Sequence, residues 1–337
     1  MNYSIKSPHI LAPINSVEEV VPLLEAGARW LYGGVIPSRW QERYPSTVLL
    51  NQRTFPGAQF SSLGEFENAV RLTQKGGGRF ALTLNAPFYM DEQLPAVLDL
   101  VRWARDIRVD AVIAADPGLM KALARDNIEV PLHLSTMGLA SNAHAVRMYS
   151  RLGVSRIILP RFLTAEQILE MIESVPDLEY EAFVLVGKCP NIEGVCSFVH
   201  DSPDRRWPCE WKWELEDENG SAPPARVSGH YADLAQSDRR DGCGLCAVPF
   251  LAAAGVAAFK VVGRGTPLTR KLQLVSTLDR VLASMPPLPA SGLSAPELSG
   301  TPGWREWVTR CREEYRAIFG HPCTPHNCYY PKICGTW

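Results

Sequence analysis

The chain has 337 residues, 46% of them hydrophobic and 21% charged, with a formal net charge of −2 at pH 7. These are globular values, with length for one large domain or two ordinary ones and ample chain for a full core. They exclude a broad basic field for a nucleic-acid backbone or an anionic membrane, though not a local basic groove. The opening Met1-Asn-Tyr-Ser-Ile-Lys-Ser-Pro8 carries no apolar signal core, and no run approaches a membrane span. A cytoplasmic setting with no membrane partner is expected, and there nine cysteines imply metal or redox chemistry rather than disulfides.

In chain order, β-type runs at 9–13, 30–33, 80–85, 111–115, 132–135, 156–159, 179–186 and 258–262 alternate with amphipathic stretches. Val17, Val20, Val21 and Leu24 share one helical face, and Leu94, Val97, Leu98 and Val101 repeat the pattern. Ser16 with Glu19, Ser62 with Glu65, and Thr164 with Gln167 fit the capping box that satisfies the free amides of a helix start. Gly27 and Gly153 stand where a left-handed helix end is wanted. Eight strands in such alternation predict a parallel (β/α)8 barrel of the TIM type, with an open doubly wound sheet as the alternative. Neither a Gly-x-Gly-x-x-Gly turn after the first strand nor a Walker A loop is present, which favours the barrel.

Two places break the rhythm, 37–57 after the second strand and 187–241 after the seventh. Insertions after strands sit on the C-terminal face of a barrel, where active sites gather. The acid-, Gly- and Pro-bearing 214–224 reads as an exposed turn. Past residue 285, Pro286-Pro-Leu-Pro-Ala-Ser-Gly-Leu reads as a linker to a helix at 303–319 and a Cys-rich tail. The expected domains are therefore 1–285, a barrel carrying a Cys-rich insertion at about 187–246, and 286–337, a linker with a helical Cys-rich extension.

Five cysteines, Cys189, Cys196, Cys209, Cys243 and Cys246, lie between the last two apolar strands, beside Pro, Gly, Asn and Lys. Soft thiolates gathered at strand exits suit an iron–sulfur cluster or zinc. Core packing, the plainer reading of a free cysteine, would put them on apolar faces. Cys243-x2-Cys246 keeps zinc open, but it has no second Cys-x2-Cys partner. Trp207, Trp211 and Trp213 flank Cys209, either to shield a metal group from water or to form a subunit contact.

Among other polar residues, Asn85 and Asp116 stand at strand ends, where they bind a ligand or cap the next helix. His133 reads as a satisfied core histidine, whereas Ser135 and Thr136 at that strand's exit reach a ligand. Arg53, Arg161 and Arg264 on one rim suit a carboxylate or phosphate held bidentately, against the alternative of solvated surface arginines. Lys260 inside a barrel requires a partner. A hydrolase is poorly supported, because His-Glu-x-x-His and Gly-x-Ser-x-Gly are both missing. A Cys/His pair would need distant residues such as His133 and Cys189. Radical chemistry is disfavoured too, because no Cys-x3-Cys-x2-Cys motif is present.

Ile10-Leu-Ala-Pro13, Leu82-Thr-Leu-Asn85, Ala115-Asp-Pro-Gly118, His133-Leu-Ser-Thr136 and Lys260-Val-Val-Gly-Arg264 resemble segments of the peptidase U32 family. Glu181-x-Phe-Val-x-x-Gly-x-Cys189, with Cys196 following, is similar to that family's signature. The resemblance covers about residues 9 to 270. It implies an oxygen-independent hydroxylase of RNA bases or ubiquinone precursors, with prephenate as oxygen donor. It also implies a [4Fe–4S] cluster on Cys189, Cys196, Cys209 and Cys246. The chain departs from the family with Leu185 where many members have His and Met137 where Gln is common.

Setting those four aside, Cys311, Cys323 and Cys328 with Cys243 would suffice for a second cluster, with zinc as the weaker alternative. Cys334 is left over. The expected protein is an iron–sulfur redox enzyme with a small-molecule or RNA-base acceptor, an electron-transfer partner, and homo- or heterodimerisation with another U32 chain. Catalytic roles are expected among Asn85, Ser135, Thr136 and Lys260, and substrate binding at Arg53, Arg161 and Arg264. The alternative of a different class is a non-catalytic iron–sulfur subunit of a homologous hydroxylase.

Overall fold

The computed structural model describes residues 8–45, 48–189, 191–196, 200, 220–221, 241–286 and 303–334. Eight strands close into a parallel barrel in sequence order: β1 His9–Pro13, β2 Ala28–Gly33, β3 Arg79–Leu84, β4 Ala111–Ala114, β5 Leu132–Leu134, β6 Val154–Ile158, β7 Glu179–Leu185 and β8 Val256–Val261. β1 pairs with both β2 and β8, so no edge is left open. The strands are short apolar runs because each is covered on both faces, and β4 is buried along its whole length.

The helices are α1 Val20–Glu25, α2 Ser38–Arg43, α3 Leu63–Lys75, α4 Leu94–Asp106, α5 Pro117–Arg125, α6 Ala143–Arg151, α7 Ala165–Ser174, α8 Val248–Ala254, α9 Leu268–Ala283 and α10 Trp304–Phe319. Thr164 and Gln167 close a full capping box on α7. Ser62 accepts from the Glu65 amide, while Glu65 reaches back to Ser61 instead. The box expected at Ser16 does not form. Glu19 receives the buried Lys271 ammonium at 2.6 Å and the Asn15 amide at 3.0 Å, and is thereby drawn away from Ser16. The first helical face is also redrawn. A 3-10 turn at Val17–Glu19 shifts the phase, burying Val20 and Leu23 and leaving Val21 44% exposed.

The tail beyond 303 is packed against the barrel. The backbone of Cys243 forms isolated β-bridges with that of Leu185 at the end of β7 and with that of Cys328 in the tail. Tyr329 and Tyr330 donate their hydroxyls to the carbonyls of Val186 and Phe183, at 2.8 and 3.2 Å. Trp307 of α10 donates its indole N–H to the Cys246 carbonyl at 3.1 Å. Both breaks in rhythm fall on strand exits, and the first contains the short helix α2 where only loop is expected. Among the described residues no helix is long and apolar enough to cross a membrane.

Candidate active site

The barrel interior is charged rather than purely apolar. Arg156 from β6 and Lys260 from β8 both donate to Glu181 of β7, at 3.4 and 2.8 Å, and Arg156 also pairs with Glu179 at 2.6 Å. Trp30 lies under the Arg156 guanidinium at 4.6 Å and against His133 at 5.3 Å. Lys260 sits 3.8 Å from the Tyr32 ring, which supplements its ion pair with Glu181. Burial lowers the Lys260 pKa, and Glu181 acts against that shift. His133 is buried as expected, but its Nδ1 has no partner among the described residues.

Above this layer, at the C-terminal ends of the strands, opens a cavity of about 650 Å³. Asn85, Ser135, Thr136, Lys260, Arg53, Arg161 and Arg264 all line it. Asn85 donates from Nδ2 to Ser135 Oγ at 3.1 Å and accepts from the Gln52 amide, so its two ends are fixed. Ser135 also caps the short turn at Thr136–Gly138. Asp116, weighed as ligand or cap, is a cap: it accepts from Gly118 at 2.7 Å and from Tyr89 at 3.0 Å.

The three arginines differ. Arg161 is held by Glu193 at 2.6 Å, donates to the Gly187 carbonyl, and stacks over Phe183 at 4.8 Å. Its burial would lower its pKa, but Glu193 and Cys189 push it up. Arg264 is 8% exposed and donates to Asn51 Oδ1 at 3.1 Å; among the described residues no carboxylate pairs with it. Burial, joined by repulsion from Arg53, brings its pKa down to about 9. Gly34 permits this placement, since a Cβ there would lie 2.8 Å from Arg264 Nη1. A buried guanidinium with no counter-charge among the described residues is suited to an anionic ligand.

Several cavity residues escape sequence reasoning. Gln52 Oε1 and Thr83 Oγ1 are buried without partners among the described residues, and both residues line the cavity. Tyr32, Glu193 and His200 line it too. Their common signal is position at or beyond a strand end, and Gln52 adjoins Arg53.

Where β7 ends, Val186 (φ 53°) and Gly187 (φ 71°) are both left-handed. The first is a strained conformation for a β-branched residue. The turn carries Cys189 and Cys196 to the cavity lining. Burial raises the Cys189 pKa against the pull of Arg161. Asn191 reaches Cys196 Sγ at 3.9 Å. Cys209 and the flanking Trp207, Trp211 and Trp213 lie outside the described residues, as does nearly all of 214–224.

Cys246 is elsewhere. It is buried, does not line the cavity, and is hydrogen-bonded to Cys311 and Cys334. Those contacts favour the charged form of Cys246 and the neutral form of Cys311 and Cys334. Two members of the implied four-cysteine set thus share the cavity, while Cys246 as placed does not join them. The fourth member, Cys209, has no described position beside them.

A closed parallel barrel with a polar, cation-bearing cavity at its C-terminal face defines the architectural class. Within it, the chain belongs to the peptidase U32 family: the model described as "Peptidase family U32" matches residues 15–289. It is 25% identical over 284 residues to "tRNA hydroxylation protein P1" of Bacillus subtilis (strain 168), covering 82% of this chain and 63% of that protein. It is 26% identical over 218 residues to "tRNA hydroxylation protein P" of Haemophilus influenzae (strain ATCC 51907 / DSM 11121 / KW20 / Rd), covering 62% of this chain and 44% of that protein. The chain therefore spans about half to two thirds of the length of these relatives. The solved structure of "the U32 Peptidase Mk0906" aligns with 55% of this chain and 72% of its own at a TM-score of 0.42 and 17% identity.

Proposed function

We propose that the chain is a hydroxylase-like redox enzyme that binds an anionic oxygen donor and an acceptor in the strand-end cavity. The observation that carries this reading is Arg264: a buried cation with no carboxylate partner among the described residues, facing a cavity that Arg53 and Lys260 also line. The relatives named for tRNA hydroxylation supply the reaction class. An RNA base or a small molecule is the proposed acceptor, and a dicarboxylate such as prephenate the proposed donor.

In this reading Arg264 and Arg53 grip the donor's carboxylates, and the fixed Asn85–Ser135 pair orients a ligand hydroxyl or carbonyl. Gln52 Oε1 and Thr83 Oγ1 satisfy further polar groups of the ligand. An iron–sulfur group, which would supply electron transfer, is proposed at the Cys189 and Cys196 edge; its remaining ligands are not assigned. A redox partner and association with another U32 chain belong to the same proposal. Proteolysis has less support, since Ser135 Oγ is engaged by Asn85 and the Met137 amide, neither of which is a general base.

Calorimetric titration of prephenate into the wild-type chain and Arg264→Lys tests the donor site. A point-like ammonium cannot form the paired fork, so the variant should bind about tenfold more weakly despite its conserved charge. Equal affinities would return Arg264 to a structural role. Expression in a host stripped of its own tRNA hydroxylation protein should restore a nucleoside heavier by one oxygen atom if tRNA is the acceptor.

A further inference from the structure

We infer that Cys246, Cys311, Cys328 and Cys334 form a thiolate site for a soft metal, separate from Cys189 and Cys196 at the cavity. The four sulfurs come from three parts of the chain: the turn ahead of α8, helix α10, and the tail strip. All four residues are at most 5% exposed. Cys246 contacts Cys311 and Cys334, and Cys334 Sγ lies 3.3 Å from Cys328 Sγ. Cys243 and Cys323 stand nearby as a second rank, within electrostatic reach of Cys246 and Cys328.

The surroundings prepare these sulfurs and leave them little else to do. The backbone of the strip is already engaged: Cys243 N donates to Asn327 O, Tyr329 N to Cys243 O, and Trp307 holds the Cys246 carbonyl. Arg312 donates to the Cys334 carbonyl at 3.3 Å, which places a cation beside the group. Ordinary core packing accounts for one buried cysteine. It does not account for four sulfurs from distant segments meeting one another in place of aliphatic carbon.

As placed, the sulfurs touch in a chain, and among the described residues no three Cys, His, Asp or Glu side chains stand around one metal-sized point. Metal–sulfur bonds of about 2.3 Å put the sulfurs of a tetrahedral site about 3.8 Å apart. Small side-chain rotations therefore suffice to open the 3.3 Å contact into such a shell. On binding, each ligating thiol releases its proton to solvent and no electron moves. Zinc and an iron–sulfur cluster share this ligand chemistry, and the cluster requires the sulfurs to spread further apart. The site would pin α10 and the tail to the β7 exit. It would also explain why Cys334, absent from the sequence-based expectation, is buried at the centre of the group while Cys243 stands at its margin.

The test uses full-length protein purified without oxygen, with metal and acid-labile sulfide measured per chain. Cys189→Ala with Cys196→Ala should keep a bound metal complement, which Cys311→Ala with Cys334→Ala should lose. Zinc lost without sulfide identifies a single ion; iron lost with sulfide identifies a cluster; both support the site. A Cys311→Ala/Cys334→Ala protein holding the wild-type complement overturns it. So does a metal-free Cys189→Ala/Cys196→Ala protein, and that second variant decides alone if the first fails to fold. Ligand binding at Arg264 is measured separately, so the two proposals fail independently.

Discussion

Replacing Glu181 by Gln probes the charged floor of the cavity. Glu181 is fully buried and receives Lys260 at 2.8 Å and Arg156 at 3.4 Å. With an effective dielectric of about 20, the two attractions are worth roughly 6 and 5 kcal/mol before desolvation is subtracted. Glutamine keeps the shape and one acceptor but leaves two buried cations, of which only Arg156 retains a carboxylate, Glu179. Breaking a buried pair in this way costs about 3–5 kcal/mol. For a chain of 337 residues that is a melting temperature roughly 4–7 °C lower. Adding Lys260→Met removes the stranded ammonium and should recover most of the loss. Urea unfolding and thermal scans of the wild type, both single variants and the double variant complete the cycle. A loss below about 1 kcal/mol for Glu181→Gln, or a double variant no better than the single, would refute the reasoning.

Two further outcomes follow from buried groups and close approaches. Burial, then Arg156, holds the His9 pKa down at about 4 and pushes His133 well below its ordinary value, so both stay neutral when folded. The unfolded chain takes up those protons below about pH 6.5, so stability is full above that pH and falls toward pH 4, by up to ~1.4 kcal/mol per unit per imidazole. His133→Asn should flatten the dependence of the urea midpoint between pH 6.5 and 4.5, and an unchanged slope would count against it. At Gly242 an added Cβ would lie 2.9 Å from the Lys188 backbone nitrogen. Gly242→Ala should therefore loosen the strip that seats the tail, read as faster proteolysis between α9 and α10 with the barrel core intact; an unchanged digestion pattern would contradict this.

The barrel was legible because each strand is a short apolar run set between amphipathic helices. The strand starts were less so. β2, β3, β6 and β8 begin one or two residues before the apolar runs, because the ladder extends through polar or small positions such as Arg79 and Ser155. Asn85, Ser135, Thr136, Lys260 and the three arginines were legible as residues of the cavity lining, since each stands near a strand exit, in the long loop after β2 or inside the barrel. Thr83 and Gln52 were hidden because nothing in their type marks a buried atom without a partner. The neighbours of Cys246 were hidden for another reason. Cys311 and Cys334 reach it only through the docking of α10 and the tail, and the nearby Cys243 offers an equally good local pairing. Sequence spacing cannot rank long-range contacts against short-range ones.

Val186 donates its amide to the Gly242 carbonyl at 2.7 Å, and Gly244 donates to Val184. The chain that leaves the barrel after β7 thus returns to within one hydrogen bond of its point of departure. Such a neck holds the two ends of the excursion together whatever the length between them. The entropy of closing a flexible loop grows only logarithmically, about 0.6 kcal/mol for each doubling of its length. Sequence length between 200 and 241 can therefore change at little cost in closure while the eight-stranded ring keeps its register. The neck makes this face of the barrel a socket, where new specificity can be fitted without redesigning the scaffold beneath.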